Sequence, residues 1–301
     1  MRMNTNKTDK RFCIVGCGRV GVNLAVFLTQ KGYGPAALAS RTSDSARHAA
    51  AVVRGGMVFD RPEDAARTCR LVFISTPDDR IEPVCDRIAS AGGFDEHSAV
   101  FHLSGALSSD ILASAREKGA ATGSLHPLQA FTPYEPDASS PFEGINMSIE
   151  GTARAQVLGR DLVTTLNARA FTIPTEAKTL YHAAAVVASN YLVTVEHFAL
   201  TLLGRAGLPP DRAFEILEPL INGTLRNIAS RGSVDALTGP VVRGDETIIA
   251  RHLADIDQKM PEFSDLYRLL GQHTLEIARN RPDFPKAADL GLADQFKKRP
   301  F

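Results

Sequence analysis

Lys178 and His182 stand four residues apart in a stretch rich in alanine and valine that is typical of a helix. At 3.6 residues per turn both side chains lie on one stripe, and Ser189 returns to it, whereas Asn190 falls on a neighbouring face. Polar side chains on an apolar helix either bond within the core or line a site, because burying them without partners is costly. An ammonium and an imidazole on one face can polarise a carbonyl or imine and deliver a proton. Lys178, His182 and Asn190 are therefore candidate catalytic residues.

Histidines also mark two predicted strands in the first half of the chain. His102 lies inside an alternating strand, where packing is the usual role, whereas His126 precedes a proline and a long loop rich in Pro and Ser. Ligand sites in α/β folds form beyond the carboxyl ends of strands. Long loops in compact domains are often functional. His126 is therefore the fourth candidate catalytic residue.

A loop in the last third, ALTGPVVRGDET (residues 236–247), has two interpretations. In the first it is a capped helix start, with Asp245 or Thr247 in the first turn. In the second, Thr238, Arg243 or backbone donors bind an anionic group of a substrate at that helix N-terminus. The sequence leaves both interpretations open.

A glycine pattern near the N-terminus indicates a dinucleotide site. Gly16, Gly18 and Gly21 have the spacing G-x-G-x-x-G, follow a predicted strand and open a predicted helix, which is the context that this motif requires. The first glycine permits a tight turn, the second lets a pyrophosphate approach the backbone, and the third allows close packing of helix on strand. The alternative is a turn with no ligand. Arg19 and Val20 complete the candidate cofactor contacts in this loop.

The end of the second predicted strand favours NADP(H) over NAD(H). It reads Ser40-Arg41-Thr42, with no acid before Asp44. An acid there would bond a ribose 2′-hydroxyl, whereas arginine and hydroxyl groups accommodate a 2′-phosphate. The alternative for Arg41 is a solvated surface charge. The fourth predicted strand ends at the same edge and adds three candidate contacts to the ribose or nicotinamide: Ser75, Thr76 and Pro77.

Around these residues the sequence predicts an α/β domain followed by an all-α domain. Short apolar runs alternate with helical patterns, which indicates βαβ units and a doubly wound, mostly parallel sheet. The predicted strands are 12–16, 36–40, 57–59, 71–75, 99–104 and 121–127, and 145–151 and 168–174 extend the same sheet. After Pro174 only helices follow, beginning with one of about nine turns. The predicted domains are 11–174 and 175–298.

Composition excludes several classes of function. Lys and Arg number 34, as do Asp and Glu, so there is no basic field to hold nucleic acid or an anionic membrane. The most apolar window, residues 183–203, is interrupted by Asn190, Glu196 and His197, which predicts a buried helix rather than a membrane span. The four cysteines lack metal-site spacing, and no metal is expected. We therefore expect a cytoplasmic protein with a small-molecule substrate.

Five motifs resemble a known group of bacterial oxidoreductases that have a Rossmann-like N-terminal domain and a helical C-terminal domain of unknown function. They are GCGRVG, HLSGALSSD, GSLHPLQAF, LYHAAAVVASNYLVT and ALTGPVVRGD, and they extend from about residue 12 to 255. The group is similar to pyrroline-carboxylate reductases, ketopantoate reductases and the wider 6-phosphogluconate-dehydrogenase-like superfamily. The resemblance implies a nicotinamide cleft and a homodimer formed through the helical domain. The candidate substrate contacts in these motifs are Ser104, Gly105, Ser189, Thr238 and Arg243.

Lys178 resembles the catalytic lysine that opens the corresponding helix in ketopantoate and β-hydroxyacid reductases. In ketopantoate reductases an asparagine follows one turn later, and here His182 stands there. The resulting hypothesis is an NADPH-dependent reductase that transfers a hydride to a C=O or C=N group of a small carboxylate metabolite. Ketopantoate is the most concrete substrate, and a pyrroline-5-carboxylate-like imine is the alternative. A hypothesis of another class is an NADP(H)-binding sensor or interaction protein without turnover.

Overall fold

The computed structural model describes residues 10–34, 36–136 and 138–297, which form two compact units dividing between Asn190 and Tyr191. The first unit has eight strands: β1 (Phe12–Val15), β2 (Ala36–Ala39), β3 (Met57–Phe59), β4 (Leu71–Ile74), β5 (Ala99–His102), β6 (Ala121–Pro127), β7 (Asn146–Gly151) and β8 (Arg169–Thr172). Its helices are α1 (Arg19–Gln30), α2 (Ser43–Val53), α3 (Pro62–Arg67), α4 (Asp78–Ser90), α5 (Ala113–Glu117), α6 (Ala153–Thr165) and α7 (Lys178–Val186). The alternation of strands and helices confirms the predicted fold class.

The strands form one sheet in the order β3-β2-β1-β4-β5-β6-β7-β8. Phe12 and Ile14 of β1 pack on one side, in a core with α1, α2 and α6, whereas Cys13 and Val15 pack on the other side with α3, α4 and α5. Successive side chains of a strand point to opposite faces. A sheet covered on both faces favours apolar residues on both sides of its strands, which is why β1, β2 and β4 are continuous apolar runs.

Strand β7 reverses direction, and the sequence patterns did not indicate this. It pairs antiparallel with β6, and β8 then pairs parallel with β7. The described residues of the segment 128–145, between β6 and β7, contain no helix. Parallel neighbours need a crossover connection, usually a helix, whereas antiparallel neighbours do not. The long loop therefore returns the chain along the edge of β6 and sets Ser148 and Glu150 beside that strand.

The second unit is helical throughout its described residues. Its helices are α8 (Leu192–Arg205), α9 (Pro210–Ala236), α10 (Pro240–Arg243), α11 (Glu246–Lys259), α12 (Ser264–Ala278) and α13 (Asp289–Gln295). Val241, Ile249, Leu253, Leu275 and Leu292 lie in its main apolar core. The all-α character predicted after Pro174 is confirmed.

The unit boundary falls after Asn190, whereas the sequence places it after Pro174. The residues between include α7, whose Lys178 bonds to residues of the first unit. Those bonds account for the longer first unit. Residue 298, where the second predicted domain ends, lies outside the described residues, so the ranges 11–174 and 175–298 stay predictions.

The prediction of a buried long helix is wrong. Helix α7, a π-helical turn (Val187–Tyr191) and α8 form one helix over Thr175–Arg205. By length and composition alone this helix is apolar enough to cross a membrane, which is weak evidence because core helices of soluble proteins pass the same test. Only 6% of its most apolar window is buried within the chain. Most of this window is therefore not buried among the described residues.

Candidate active site

The glycine loop lies where β1 and β4 end side by side. Gly16 has φ 104°, and a Cβ on it would lie 2.7 Å from the backbone of Ser75 and Thr76. A Cβ on Gly21 would lie even closer to the Gly16 carbonyl and to the Ser75 hydroxyl, which donates a hydrogen bond to that carbonyl. Gly18 has nothing within 4 Å of the position of a Cβ. The first and third glycines thus serve close packing, and the second faces open space.

Helix α1 presents an uncapped N-terminus to that space. Its N-cap, Gly18, makes no side-chain bond to the helix, and the first turn, which begins with Arg19 and Val20, contains no acidic residue. The first N–H groups of a helix have no partner within it and attract anions. The Thr76 hydroxyl is also buried with no partner among the described residues. This donor set fits a dinucleotide phosphate.

The end of β2 borders the same loop. The Ser40 hydroxyl accepts a hydrogen bond from the Cys17 amide at 3.5 Å, and the Thr42 hydroxyl caps α2 by accepting from the Ser45 amide at 3.3 Å. Arg41 is exposed and makes no hydrogen bond or ion pair within the described part of the chain. Its guanidinium is therefore available to a ligand.

Polar side chains line one face of the sheet beyond the glycine loop. His102 of β5, Ser124 of β6 and Glu150 of β7 are register neighbours, and His126 and Ser148 form the next pair. All but His126 are buried. Buried polar groups generally require hydrogen-bond partners. Those of His102, Ser124 and Glu150 come from the loop after β5 and from the start of α7 and the segment before it, whereas the Ser148 hydroxyl has none among the described residues.

Lys178, only 2% exposed, supplies the central hydrogen bonds. Its Nζ donates to the Ser104 carbonyl at 2.8 Å and to the Ser124 hydroxyl at 2.7 Å. Burial lowers the pKa of Lys178 to about 8, and the charges of Glu150 and Asp78 oppose that shift. At neutral pH the ammonium form therefore holds the Ser104 carbonyl by a charge-assisted bond.

The remaining groups of Ser104 fix the peptide that leads to Gly105. The Ser104 amide donates to His102 Nδ1 at 3.2 Å. The Ser104 hydroxyl donates to Asp78 at 2.9 Å and accepts from the amides of Ala106 and Leu107. Burial lowers the pKa of His102 to about 3, so its neutral ring accepts at Nδ1 and donates from Nε2 to the Ser108 carbonyl at 3.1 Å.

Gly105 lies between two imidazoles. A Cβ on it would be 2.7 Å from His182 Nδ1 and 2.8 Å from His126 Nε2. Neither nitrogen has a hydrogen-bond partner among the described residues. Both nitrogens therefore pack against the same side of the Gly105 Cα.

His126 is held from behind by Tyr181, whose hydroxyl lies 2.8 Å from His126 Nδ1. Burial, reinforced by the charge of Lys178, lowers the pKa of His126 to about 4, so the imidazole is neutral at physiological pH. Burial raises the pKa of the Tyr181 hydroxyl, which keeps its proton. The pair therefore combines a neutral imidazole with a protonated phenol.

The first unit brings together the candidates Lys178, His182, His126, Ser104 and Gly105. Ser189 and Asn190 lie in the exposed π-helical turn. Sequence reasoning missed three partners: Tyr181, Ser124 and Glu150. Tyr181 had a detectable signal, because it lies three residues from Lys178 and so shares its helix face. Glu150 had none, because its position depends on the reversal of β7.

The loop candidates of the last third lie in the second unit. Asp245 caps α11 by accepting from the Ile248 amide at 3.3 Å, and Arg243 lies 4.0 Å from the Asp245 carboxylate. These contacts support the interpretation as a capped helix start. Binding of an anion by Thr238 and Arg243 stays a prediction. No cluster of His, Cys, Asp or Glu suited to a metal ion occurs in the described ranges.

Comparison with solved structures supports the fold over most of the chain. A Bacteroides fragilis protein assigned as an NADP oxidoreductase is 25% identical, with a TM-score of 0.70, over 89% of this chain and 98% of that one. A Thermotoga maritima protein shows the same identity and coverage with a TM-score of 0.67. An imine reductase from Myxococcus stipitatus in complex with NADP⁺ is 16% identical, with a TM-score of 0.63, over 95% and 99% of the two chains. At that identity the likeness concerns the fold alone.

Family models match both halves of the sequence, while no curated protein matches it. The first is described as a Rossmann-like domain and covers residues 3–127. The second is described as a domain of unknown function, DUF2520, and covers residues 145–274. The predicted relationship to ketopantoate reductases stays a prediction. The chain is therefore similar to a Rossmann-like domain over residues 3–127 and to DUF2520 over residues 145–274.

Proposed function

We propose that the protein is an NADPH-dependent oxidoreductase that reduces a C=N or C=O bond of a small molecule. The observation that carries the proposal is the pair of unpartnered nitrogens, His126 Nε2 and His182 Nδ1, beside Gly105. Gly105 belongs to the same sheet edge as the glycine loop, since Ser104 bonds to Asp78 after β4 and Ser75 of that strand end bonds to Gly16. A dinucleotide site and a polar substrate site thus adjoin.

The cofactor half of the proposal rests on the uncapped start of α1 and on Arg41. When bound, reduced nicotinamide would supply a hydride to the substrate carbon. The B. fragilis protein is assigned as an NADP oxidoreductase, and the M. stipitatus enzyme was solved with NADP⁺. Gly18, Arg19 and Val20 would hold the pyrophosphate, in a turn that Gly16 and Gly21 keep closely packed. Ser40, Arg41 and Thr42 would hold the ribose phosphate.

Replacing Arg41 by alanine should weaken NADPH binding by about 10- to 100-fold, because charge-assisted bonds contribute about 1.5–3 kcal/mol. NADH binding should change by roughly twofold or less, because NADH lacks the 2′-phosphate. Isothermal titration with both cofactors measures this difference. Arg47→Ala is the matched control, since Arg47 is an exposed arginine of α2 already paired with Asp44. Equal losses for NADPH and NADH would remove Arg41 from the phosphate site.

In the chemical step, His126 would deliver the proton. With the Tyr181 hydroxyl donating to Nδ1, the His126 ring carries its proton on Nε2, toward Gly105. When the substrate is reduced, the Nε2 proton would pass to the substrate nitrogen or oxygen, and the Tyr181 proton would pass to Nδ1. Solvent would then return a proton to Nε2, and the Nδ1 proton would pass back to Tyr181, which restores the starting state. His182 would form a hydrogen bond to the same substrate atom. Lys178 would not touch the substrate; its hydrogen bond to the Ser104 carbonyl would hold Gly105 in place.

Solved proteins of this fold include the imine reductase and a pyrroline-5-carboxylate reductase from Coxiella burnetii, which is 13% identical with a TM-score of 0.56. Cyclic imines are therefore the first substrates to test, and 2-oxo acids such as ketopantoate are the second. Deuterium placed at C4 of NADPH should appear on the reduced carbon of the product, as read by mass spectrometry. Oxidation of the cofactor without transfer of the label would contradict the proposal.

We also propose that two copies associate through the helix Thr175–Arg205. Leu180, Val187, Tyr191 and Val193 of this helix are 57–79% exposed. Contiguous exposed apolar patches mark interaction sites, and small residues such as those of the Ala-rich turn 183–185 let two helices approach closely.

Val193→Asp should therefore convert a dimer of the 32.4 kDa chain into a monomer, because a carboxylate is costly to bury in an apolar interface. Light scattering coupled to gel filtration measures the mass. Val157→Asp is the control, since Val157 is equally exposed but lies on α6. A monomeric wild type that binds lipid vesicles through this helix would contradict the dimer.

A further inference from the structure

Glu150 is a buried carboxylate for which the proposed chemistry has no direct use. It lies on β7 and is 2% exposed. Its Oε2 accepts from the Ser109 amide at 2.8 Å, and its Oε1 accepts from the hydroxyls of Ser109 at 2.7 Å and Thr175 at 2.9 Å. Three donors on one buried carboxylate indicate a built interaction, since buried charges must be paired and hydrogen-bonded.

The three donors come from the two segments that flank the substrate site. Ser109 ends the loop that begins with Ser104 and Gly105, and Thr175 lies three residues before Lys178. Glu150 is also the cross-strand neighbour of Ser124, which accepts a hydrogen bond from Lys178. The carboxylate thus ties the Gly105 loop to the start of α7.

The charges around Lys178 come from every element packed against it. Glu150 on β7 and Asp78 at the start of α4 act on it, and His102 of β5 and His126 of β6 are both neutral at physiological pH. On its own helix the Tyr181 ring lies 5.8 Å from Nζ, and His182 follows. Glu150 is the larger of the two acidic influences, and both oppose the loss of the proton that burial favours.

We propose that Glu150 is a positioning residue that keeps Lys178 protonated, so that the ammonium holds the Ser104 carbonyl and thereby fixes Gly105 between the two imidazoles. The importance of this role for catalysis rests on the proposed function. The electrostatic link itself concerns only the folded protein and can be tested without a substrate.

The link has a defined pH dependence. Lys178 titrates at about 8 in the folded chain and at about 10.4 when unfolded. Between these values the unfolded chain binds more protons, so the stability of the wild type relative to Lys178→Met rises with pH. Removing the charge of Glu150 lowers the folded pKa of Lys178 further. The rise should then begin at a lower pH.

The experiment is a double-mutant cycle of Glu150→Gln and Lys178→Met, measured by urea unfolding from pH 6 to 10. In the wild-type background, the stability difference between Lys178 and Lys178→Met should begin to rise at about pH 8. In the Glu150→Gln background we expect this rise to begin about one pH unit lower. The coupling between the two residues should be present at pH 7 and lost above pH 9. Ser109→Ala is the matched control, because it removes one bond to Glu150 but keeps the charge; its stability should fall without a change in onset.

An onset that stays at about 8 in Glu150→Gln, or a coupling that is independent of pH, would overturn the proposal and leave Glu150 a purely structural residue. If Glu150→Gln does not fold, nitrogen NMR of the wild type decides. The Lys178 Nζ signal, assigned by its loss in Lys178→Met, must show an ammonium at pH 7, and a neutral amine would overturn the proposal. Because neither measurement needs turnover, their failure is distinct from failure of the proposed reductase.

Discussion

His126→Phe should lower kcat by about 100- to 10,000-fold, the usual contribution of a positioned proton donor. Phenylalanine keeps an aromatic ring against Tyr181 and His182 but has no nitrogen to give or take a proton. The affinity for NADPH should stay unchanged, because the cofactor contacts proposed here lie at the ends of β1, β2 and β4. Single-turnover oxidation of NADPH with a cyclic imine measures the rate, and titration without substrate measures the affinity.

Two further variants test whether His126 works together with Tyr181. Tyr181→Phe removes the hydroxyl 2.8 Å behind Nδ1 and should slow the wild type, yet it should have no further effect in the His126→Phe background. Groups that act as a unit are non-additive in this way. His197→Phe, at an exposed position of α8, is the matched control. If Tyr181→Phe and His126→Phe lowered kcat independently, proton transfer from Tyr181 through His126 would be contradicted.

Gly105→Ala should lower kcat/KM by about 100-fold, although it adds a single methyl group. That methyl would lie within 2.8 Å of ring nitrogens of both His126 and His182. Ser104 holds the loop through its amide, carbonyl and hydroxyl, so the rings must move instead. A displacement of about 1 Å can reduce a rate 100-fold, and an overpacked core costs about 1–3 kcal/mol of stability.

The control for Gly105→Ala is the same substitution in open space. Gly204 lies in α8 and has nothing within 4 Å of the position of a Cβ. Gly204→Ala should leave activity unchanged and raise the free energy of unfolding by about 0.5–1 kcal/mol, because alanine favours helix over glycine. Gly105→Ala with full activity and unaltered stability would show that the imidazoles do not pack on this residue as described.

The glycine loop could be predicted in detail because its chemistry is local. A strand, three glycines and a helix adjoin in the chain, so the tight turn at Gly16 and the close packing at Gly21 could be predicted, and the structure shows both. The approach of a pyrophosphate at Gly18 stays a prediction, and Gly18 faces open space. The shared helix face of Lys178 and His182 could be predicted for the same reason, because residues four apart in a helix are neighbours. Their partners were less accessible. Ser104 and Ser124 lie 74 and 54 residues from Lys178, and only the register of three strands brings them to its amine.

Glu150 and the long helix show two further limits of the sequence. Glu150 lies beside Ser124 because β7 runs antiparallel to β6. The apolar pattern of a short strand does not indicate the direction in which the strand runs. The helix Thr175–Arg205 has the composition of a core element but is uncovered in the single chain. An apolar composition predicts that the helix is covered, but it does not indicate whether the same chain or another molecule covers it.

A sensor that binds NADP(H) without turnover is the alternative of another class. It needs the glycine loop and Arg41, but it gives no reason for two unpartnered imidazole nitrogens to converge beside Gly105. A neutral His126 backed by a protonated Tyr181 is suited to proton delivery, and a binding protein has no need of that pair. The two functions therefore differ in what His126 should do.

NADPH oxidation by the wild type and by His126→Phe, each saturated with NADPH and offered cyclic imines and 2-oxo acids, tests the central claim most directly. The reductase account predicts oxidation that depends on one class of substrate and falls at least about 100-fold in His126→Phe, at equal cofactor affinity. Tight NADPH binding with no substrate-dependent oxidation, or equal rates for the two proteins, would contradict it.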